Sequence, residues 1–167
     1  MQDHAAWWRR IWTPFFASAP GRAFIRYVAQ PADRLLLPLT RGRFTLSRLV
    51  YPTLLLTTIG AKSGRPRATP LIYFRDGPRI VLVASNYGGA RHPAWYHNLR
   101  TTPRATVTLE GATRPYLAHE ASGAERAELW RKAVAFYGGY ATYQRCAGPR
   151  QIPIMVLEPA PEHSAPA

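Results

Sequence analysis

Beyond Tyr51 the chain breaks into short apolar runs separated by glycine, proline and charged positions, a pattern of strands rather than long helices. Residues 53–58 (TLLLTT), ended by Ile59-Gly60, read as a buried strand, and the polar stretch Ala61-Lys62-Ser63-Gly64-Arg65-Pro66-Arg67 as the turn after it. Residues 69–74 and 80–84 form two strands about Asp76-Gly77, a hairpin signal because glycine accepts the backbone such turns need. Asn86-Tyr87-Gly88-Gly89 is a loop, and 92–100 is a helix with Pro93 in its first turn. A second hairpin joins 105–109 to 113–119 across Glu110-Gly111. Ser122, with Glu125 three residues on, predicts a capping box that opens a helix running to about Phe136. Residues 152–157 are the last strand. Six short strands in hairpins with two inserted helices predict a mainly β, α+β domain over 51–160, a small closed six-stranded barrel rather than a parallel sheet. The Pro/Ala-rich stretch 161–167 reads as a disordered tail.

Residues 1–50 have a different texture and are expected to form an amphipathic helical extension. Trp8, Ile11, Trp12 and Phe15 fall at helical spacing beside Arg9 and Arg10 until Pro14 and Pro20 intervene. Phe24, Ile25, Tyr27 and Val28 are set against Arg22 and Arg26, and Leu35, Leu36, Leu37 and Leu39 are flanked by Arg34, Arg41 and Arg43. Tryptophan with arginine on short helices suits an anionic membrane surface; helices lying across the domain and burying the same aromatics suit it equally. No apolar run is long enough to span a bilayer, and the arginines interrupt any signal-peptide pattern. The expectation is a cytoplasmic protein with peripheral contact at the inner face of the membrane.

Composition narrows the function. The 167 residues carry 22 basic and 9 acidic side chains, a formal charge of +13, which calls for an anionic partner: nucleic acid, membrane or an acidic small molecule. An apolar fraction of 47% excludes a disordered chain, and the single Cys146 excludes a disulfide framework or a cysteine-based zinc site. No metal site is expected: His97 lacks a partner histidine at helical spacing, and His92 is five residues away. A nucleic-acid-binding barrel is disfavoured because the aromatics cluster on helices rather than alternating along basic strands.

Three stretches hold candidate chemistry. Lys62-Ser63-Gly64-Arg65-Pro66-Arg67 sets three cations, a hydroxyl and a glycine at one spot, which suits a phosphate or equally a solvated basic turn. Ser85-Asn86-Tyr87-Gly88-Gly89 ends a strand just before a helix N-terminus, an anion or carbonyl site or an ordinary connector. Tyr137, Tyr140 and Tyr143 recur every third residue after Gly138-Gly139 loosens the helix end; on one helical face they would present three phenols to a common pocket, or else stack as core tyrosines with polar tips at the rim. There is no Gly-x-Ser-x-Gly elbow and no paired acid–base set, so the chemistry is expected to come from a cofactor.

Taken in order, these motifs are no longer independent. Thr57-Thr58-Ile59-Gly60-Ala61-Lys62-Ser63-Gly64-x-x-Arg67-x-x-Pro70-Leu71, then Arg75-Asp76-Gly77, Ala84-Ser85-x-x-Gly88, Pro93-x-Trp95-Tyr96-x-Asn98-Leu99, Tyr140-x-x-Tyr143-Gln144, and finally Ile152-Pro153 with Leu157-Glu158-Pro159, together resemble the deazaflavin-dependent nitroreductase family. The resemblance implies a split β-barrel of the flavin-reductase-like kind that binds coenzyme F420, a deazaflavin with a phosphate and a polyglutamate tail, in its reduced form. It implies that Lys62, Ser63 and Arg67, on the turn opened by Ala61, hold the phosphate and tail. Ala68, Thr69, Pro70, Val83, Ala84, Ser85, Asn86, Ala94, Trp95, Tyr96, His97 and Asn98 line the ring and its ribityl chain. Tyr140 sits where substrate meets the ring, with Tyr137 and Tyr143 beside it and Ser85 assisting by hydrogen bonding. Ala61 and Asn86 depart from the family pattern, where an arginine and a lysine are common, and so remove two cations from the phosphate side. The implied reaction is hydride transfer to an electron-poor conjugated acceptor, a quinone or a nitroaromatic. The alternative is a non-catalytic protein that binds the coenzyme or a lipid.

Overall fold

A computed structural model describes residues 51–161. The helical extension expected over 1–50 and the tail beyond residue 161 lie outside the described residues. Seven strands form one antiparallel sheet: β1 (Thr53–Ile59), β2 (Pro66–Ile72), β3 (Phe74–Asp76), β4 (Arg79–Val83), β5 (Arg104–Leu109), β6 (Ala112–Glu120) and β7 (Ile154–Pro159). Helix α1 (Ala94–Thr101) lies between β4 and β5 in the chain. Helices α2 (Gly123–Phe136) and α3 (Gly139–Cys146) lie between β6 and β7.

The strand order, β2-β1-β5-β6-β7-β4-β3, puts at the two edges strands separated in the chain only by Tyr73. One extended stretch therefore pairs with β1 through its first half and with β4 through its second, which curls the sheet into a split barrel. The single strand expected over 69–74 is bent at this point, where the Tyr73 N–H donates to Pro52 O at 3.2 Å. Counted through the bend, the barrel has the six strands expected; counted by ladder, it has seven.

The two faces of the sheet hold different cores. Inside the barrel, Leu54, Leu56, Ile80, Leu82, Val107, Met155 and Leu157 pack around Trp95, Tyr96 and Leu99 of α1. Outside, Val81, Val83, Ile154 and Val156 pack against Leu129 and Ala133 of α2 and against Tyr137, Tyr140 and Tyr143. Strands β4 and β7 are thus covered on both sides, which is why both read as unbroken apolar runs; each fully buried leucine or isoleucine contributes about 1.5–3 kcal/mol. Strand β6 alternates, with Tyr116 and Ala118 buried and Leu117 49% exposed.

The turns follow local chemistry in most places. Glu110 and Gly111 both adopt positive φ (54° and 83°), the two-residue hairpin turn that the sequence predicted. Helix α1 starts at Ala94, two residues later than expected, with Pro93 at its N-cap in extended conformation. The capping box does not form: the Ser122 side chain makes no capping bond. Glu125 instead accepts from Arg79 Nη1 at 2.8 Å, a partner 46 positions away on β4, and lies 3.2 Å from His119 Nε2 near the end of β6.

Candidate active site

The β1–β2 turn is closed by its own backbone. Gly60 N–H donates to Arg65 O (2.9 Å), and the N–H groups of Ser63 and Gly64 donate to Gly60 O (3.1 and 2.8 Å). A Cβ at Gly60 would lie 2.6 Å from Ser63 Oγ and 3.2 Å from Arg65 O, so a side chain there would displace the Ser63 hydroxyl. Residues 61–68 are all exposed. Among the described residues, Lys62, Arg65 and Arg67 form no ion pair, and four of the carboxylates pair with other cations. Asp76 pairs with Arg79 and Lys132, Glu125 with Arg79, Glu128 with Lys132 and Glu120 with Arg100.

One buried amide fastens this turn to the barrel. Asn98 of α1 accepts from the Ala61 N–H through Oδ1 at 2.9 Å and donates to Thr58 Oγ1 through Nδ2 at 3.0 Å. Asn98 and Thr58 are both buried, so each satisfies the other's polar groups away from water. The turn expected over 61–67 is shorter: Pro66 and Arg67 already belong to β2, and Arg67 pairs with Thr58 in the register and so shares its face of the sheet, because the β1 ladder extends to Ile59.

The connection from β4 to α1 is built differently. Asn86, Tyr87 and Gly88 are consecutive residues with positive φ (46°, 55° and 77°). Asn86 Nδ2 donates to Arg91 O at 2.9 Å. Gly88 lies against α3, where a Cβ would meet Cys146 Cβ at 2.7 Å and Tyr143 O at 2.8 Å. Arg150 spans the inside of the loop: its Nε donates to Gly89 O (2.9 Å), Nη2 to Ser85 O (2.7 Å) and Nη1 to Ala84 O (3.4 Å), with His92 Nδ1 3.1 Å from Nη1. Burial first, and the Arg150 charge second, hold the His92 imidazole below the ordinary histidine range, so the neutral ring accepts from Arg150.

The three tyrosines are buried on the outer face of β4 and β7. They do not share one helix, as their spacing suggested. Tyr137 caps the end of α2 and folds its ring over Gly139, where no Cβ fits; Tyr140 and Tyr143 stand on α3. The Tyr137 and Tyr143 hydroxyls are 3.1 Å apart, and the Tyr140 ring centre lies 5.1 Å from that of Tyr137 in an edge-on contact. Burial raises the Tyr140 phenol far above its ordinary value, so it holds its proton at any physiological pH.

The residues expected at the site therefore fall into two sets on opposite faces of β4. Ala84, Trp95 and Tyr96 belong to the barrel interior, and Val83 with the tyrosines to the outer layer; Pro70 is buried, while Thr69 and Ser85 are partly exposed. The 85–89 loop joins the sets, since Gly88 abuts α3 and the Tyr87 ring lies 6.0 Å from Tyr143. Of the α1 residues expected at the site, Ala94 and His97 are the exposed ones. Arg150 was not foreseen: it sits between Pro149 and Gln151 with no periodicity to mark it. Among the described residues no group of three His, Cys, Asp or Glu could hold a metal ion, and no helix is long and apolar enough to cross a membrane.

Residues 40–159 match the family model described as F420H(2)-dependent quinone reductase. The chain belongs to this family. An F420H(2)-dependent quinone reductase of Mycobacterium tuberculosis (strain ATCC 25618 / H37Rv) is 37% identical over 111 residues, 64% of this chain and 72% of its own length. Another protein of that strain is 38% identical over 112 residues, covering 67% of this chain and 93% of its own. The solved structure of an F420-H2 dependent reductase superposes with a TM-score of 0.59 at 38% identity, covering 64% of this chain and 94% of that one. The reductase's coenzyme is F420, and the residues present fit an anionic group of that kind: an exposed stretch with three cations that form no ion pair among the described residues. Positions 61 and 86, where the resemblance led one to expect cations, are tied into the fold by hydrogen bonds. Ala61 lends its N–H to Asn98, and Asn86 holds a left-handed conformation with its side chain on Arg91 O.

Proposed function

We propose that the chain is an F420H2-dependent quinone reductase whose 61–67 turn grips the acidic end of the coenzyme. The observation that carries this reading is the combination of three exposed cations, without an ion pair among the described residues, with a buried amide, Asn98, that fixes the turn to α1. Lys62 and Arg67 supply charge, Ser63 a hydroxyl, and Ala68, Thr69, Pro70, Ser85, Asn86, Ala94 and His97 the surface along the ring and its chain. Trp95, Tyr96 and Asn98 are buried and shape that surface from beneath. When bound, the reduced coenzyme supplies a hydride to a quinone; a nitroaromatic is a second acceptor of the same electron-poor kind. Tyr140 stays protonated and so serves as a hydrogen-bond or proton donor toward the acceptor, never as a base. An apolar quinone is also the acceptor that a membrane-binding segment over 1–50 favours.

Titration of purified protein with reduced F420 tests the reading. Binding is expected at micromolar concentration with the phosphate and tail intact, and weakened when they are removed. Tyr140→Phe is expected to lower quinone turnover about tenfold while changing coenzyme affinity less than about twofold. Absence of coenzyme binding at micromolar concentration, with tight binding of FMN instead, overturns it. Coenzyme binding without oxidation by any of a panel of quinones identifies a non-catalytic binder.

A further inference from the structure

We propose that Arg150, itself held by Gln144, is the positioning residue that sets the 84–92 loop against the tyrosine-bearing helix α3. The proposal rests on the reading above in one respect, that Ser85 and Asn86 of this loop border the coenzyme. The guanidinium reaches three carbonyls and one imidazole of the loop, at Ala84, Ser85, Gly89 and His92. Four acceptors spread around one planar group match the fork of an arginine; a lysine ammonium lacks that geometry. Such a clamp has work to do here. Asn86 and Tyr87 are non-glycine residues with positive φ, a conformation that persists only where the surroundings over-determine it.

The clamp is itself anchored in α3. Gln144 donates from Nε2 to Arg150 O at 2.8 Å and accepts the Ile152 N–H on Oε1 at 2.9 Å, so both ends of its amide are used. Gln144 follows Tyr143 directly, and Tyr143 packs beside Gly88. One chain of contacts therefore runs from the tyrosine helix through Gln144 and Arg150 to Ser85. It accounts for the glutamine of the Tyr140-x-x-Tyr143-Gln144 motif, for which neither coenzyme nor substrate contact was expected.

The arrangement also carries a dependence on proton concentration. His92 can accept from Arg150 only while neutral; protonation sets two cations 3.1 Å apart. The groups around His92 are Arg150, Tyr96, His97 and Arg100 of α1, and Glu120 of β6. Of these, Glu120 alone is an acid, and it is engaged with the Tyr96 hydroxyl at 2.9 Å. The clamp is thus complete above the ordinary histidine range and weakens as pH falls through the lowered His92 value.

Hydrogen exchange of the full chain without coenzyme, alongside coenzyme titration, tests this. In Arg150→Lys the amides of 84–92 are expected to exchange about tenfold faster, with 61–67 unchanged, and the Kd for reduced F420 to rise about tenfold. Arg150→Met is expected to show the larger change of the two. In the wild type, loop protection, corrected for intrinsic exchange, is expected to fall between about pH 8 and about pH 5. In His92→Gln, which keeps an acceptor but cannot protonate, that fall is expected to vanish. Loop exchange equal to wild type in both Arg150 variants, or acceleration spread evenly over the molecule, overturns the proposal. If the wild type binds no coenzyme, the proposed function fails, and the exchange measurements still decide the clamp.

Discussion

Two glycine-containing loops follow strands of the same barrel, and they solve opposite problems. The 61–67 stretch keeps its side chains exposed, its cations form no ion pair among the described residues, and it is held from below by one neutral amide. The 84–92 loop has its charge turned inward: the Arg150 guanidinium is spent on the loop's own carbonyls, and three consecutive residues sit in left-handed conformations. On the proposed function, the first offers charge to the coenzyme and the second offers shape. A cation that is to bind a ligand must be left without a carboxylate partner, whereas a strained loop must have nearly every backbone group satisfied. Both conditions are met a few strands apart because the acids are gathered elsewhere, around Asp76, Glu125 and Glu128.

Breaking the shape should have the largest effect. Gly88→Val forces a branched side chain into a positive φ and against Cys146 and Tyr143, and should destabilise the fold by about 3 kcal/mol or more, read as a lowered midpoint in chemical denaturation. Removing the charge should leave that midpoint alone. The double change Lys62→Ala with Arg67→Ala should raise the Kd for reduced F420 about a hundredfold and flatten its dependence on salt; an unchanged Kd separates this turn from the coenzyme. Asn98→Ala lies between the two kinds. It strands the Ala61 N–H and Thr58 Oγ1, so a stability loss of about 1–3 kcal/mol should accompany weaker coenzyme binding, and loss of one without the other breaks the link between them.

The smallest effect belongs to the acid cluster. Hydrogen bonds from Lys132 first and Arg79 second hold the Asp76 carboxyl below its ordinary value. A lowered folded-state value means stability that is present above the ordinary aspartate range and lost as pH falls through the lowered one. Asp76→Asn should therefore lower Tm by a few degrees at most near neutral pH, and the difference should disappear in acid below about pH 3. A difference that persists there assigns the effect to packing rather than charge.

Several features of the molecule were legible in residue order because they depend on neighbours in the chain. The turn at Glu110-Gly111 follows from glycine's tolerance of positive φ. Most strands could be placed from their short apolar runs, and the order of motifs from Thr57 to Pro159 pointed to the family. Contacts between distant residues were not legible in this way. Asn98 reaches a residue 37 positions away and Arg150 carbonyls 61 and 65 positions away, and nothing local in the sequence marks either pairing. The same limit explains Glu125, read as a capping residue until Arg79, 46 positions away, competes for it. It also explains the tyrosines, whose three-residue spacing suggested one face of one helix, although the break at Gly138 and Gly139 splits them between a helix cap and a new helix.

The sequence alone, then, determined the local backbone, the β character, the identity of the cations and the absence of an evident nucleophile, since each of these is a property of residue type and nearest neighbours. Only the tertiary structure decided which apolar run faces which core, that the sheet closes through a bend at Tyr73, and which polar side chains are spent on the protein rather than left for a ligand. Those outcomes depend on strand register, which brings together groups that the chain keeps far apart.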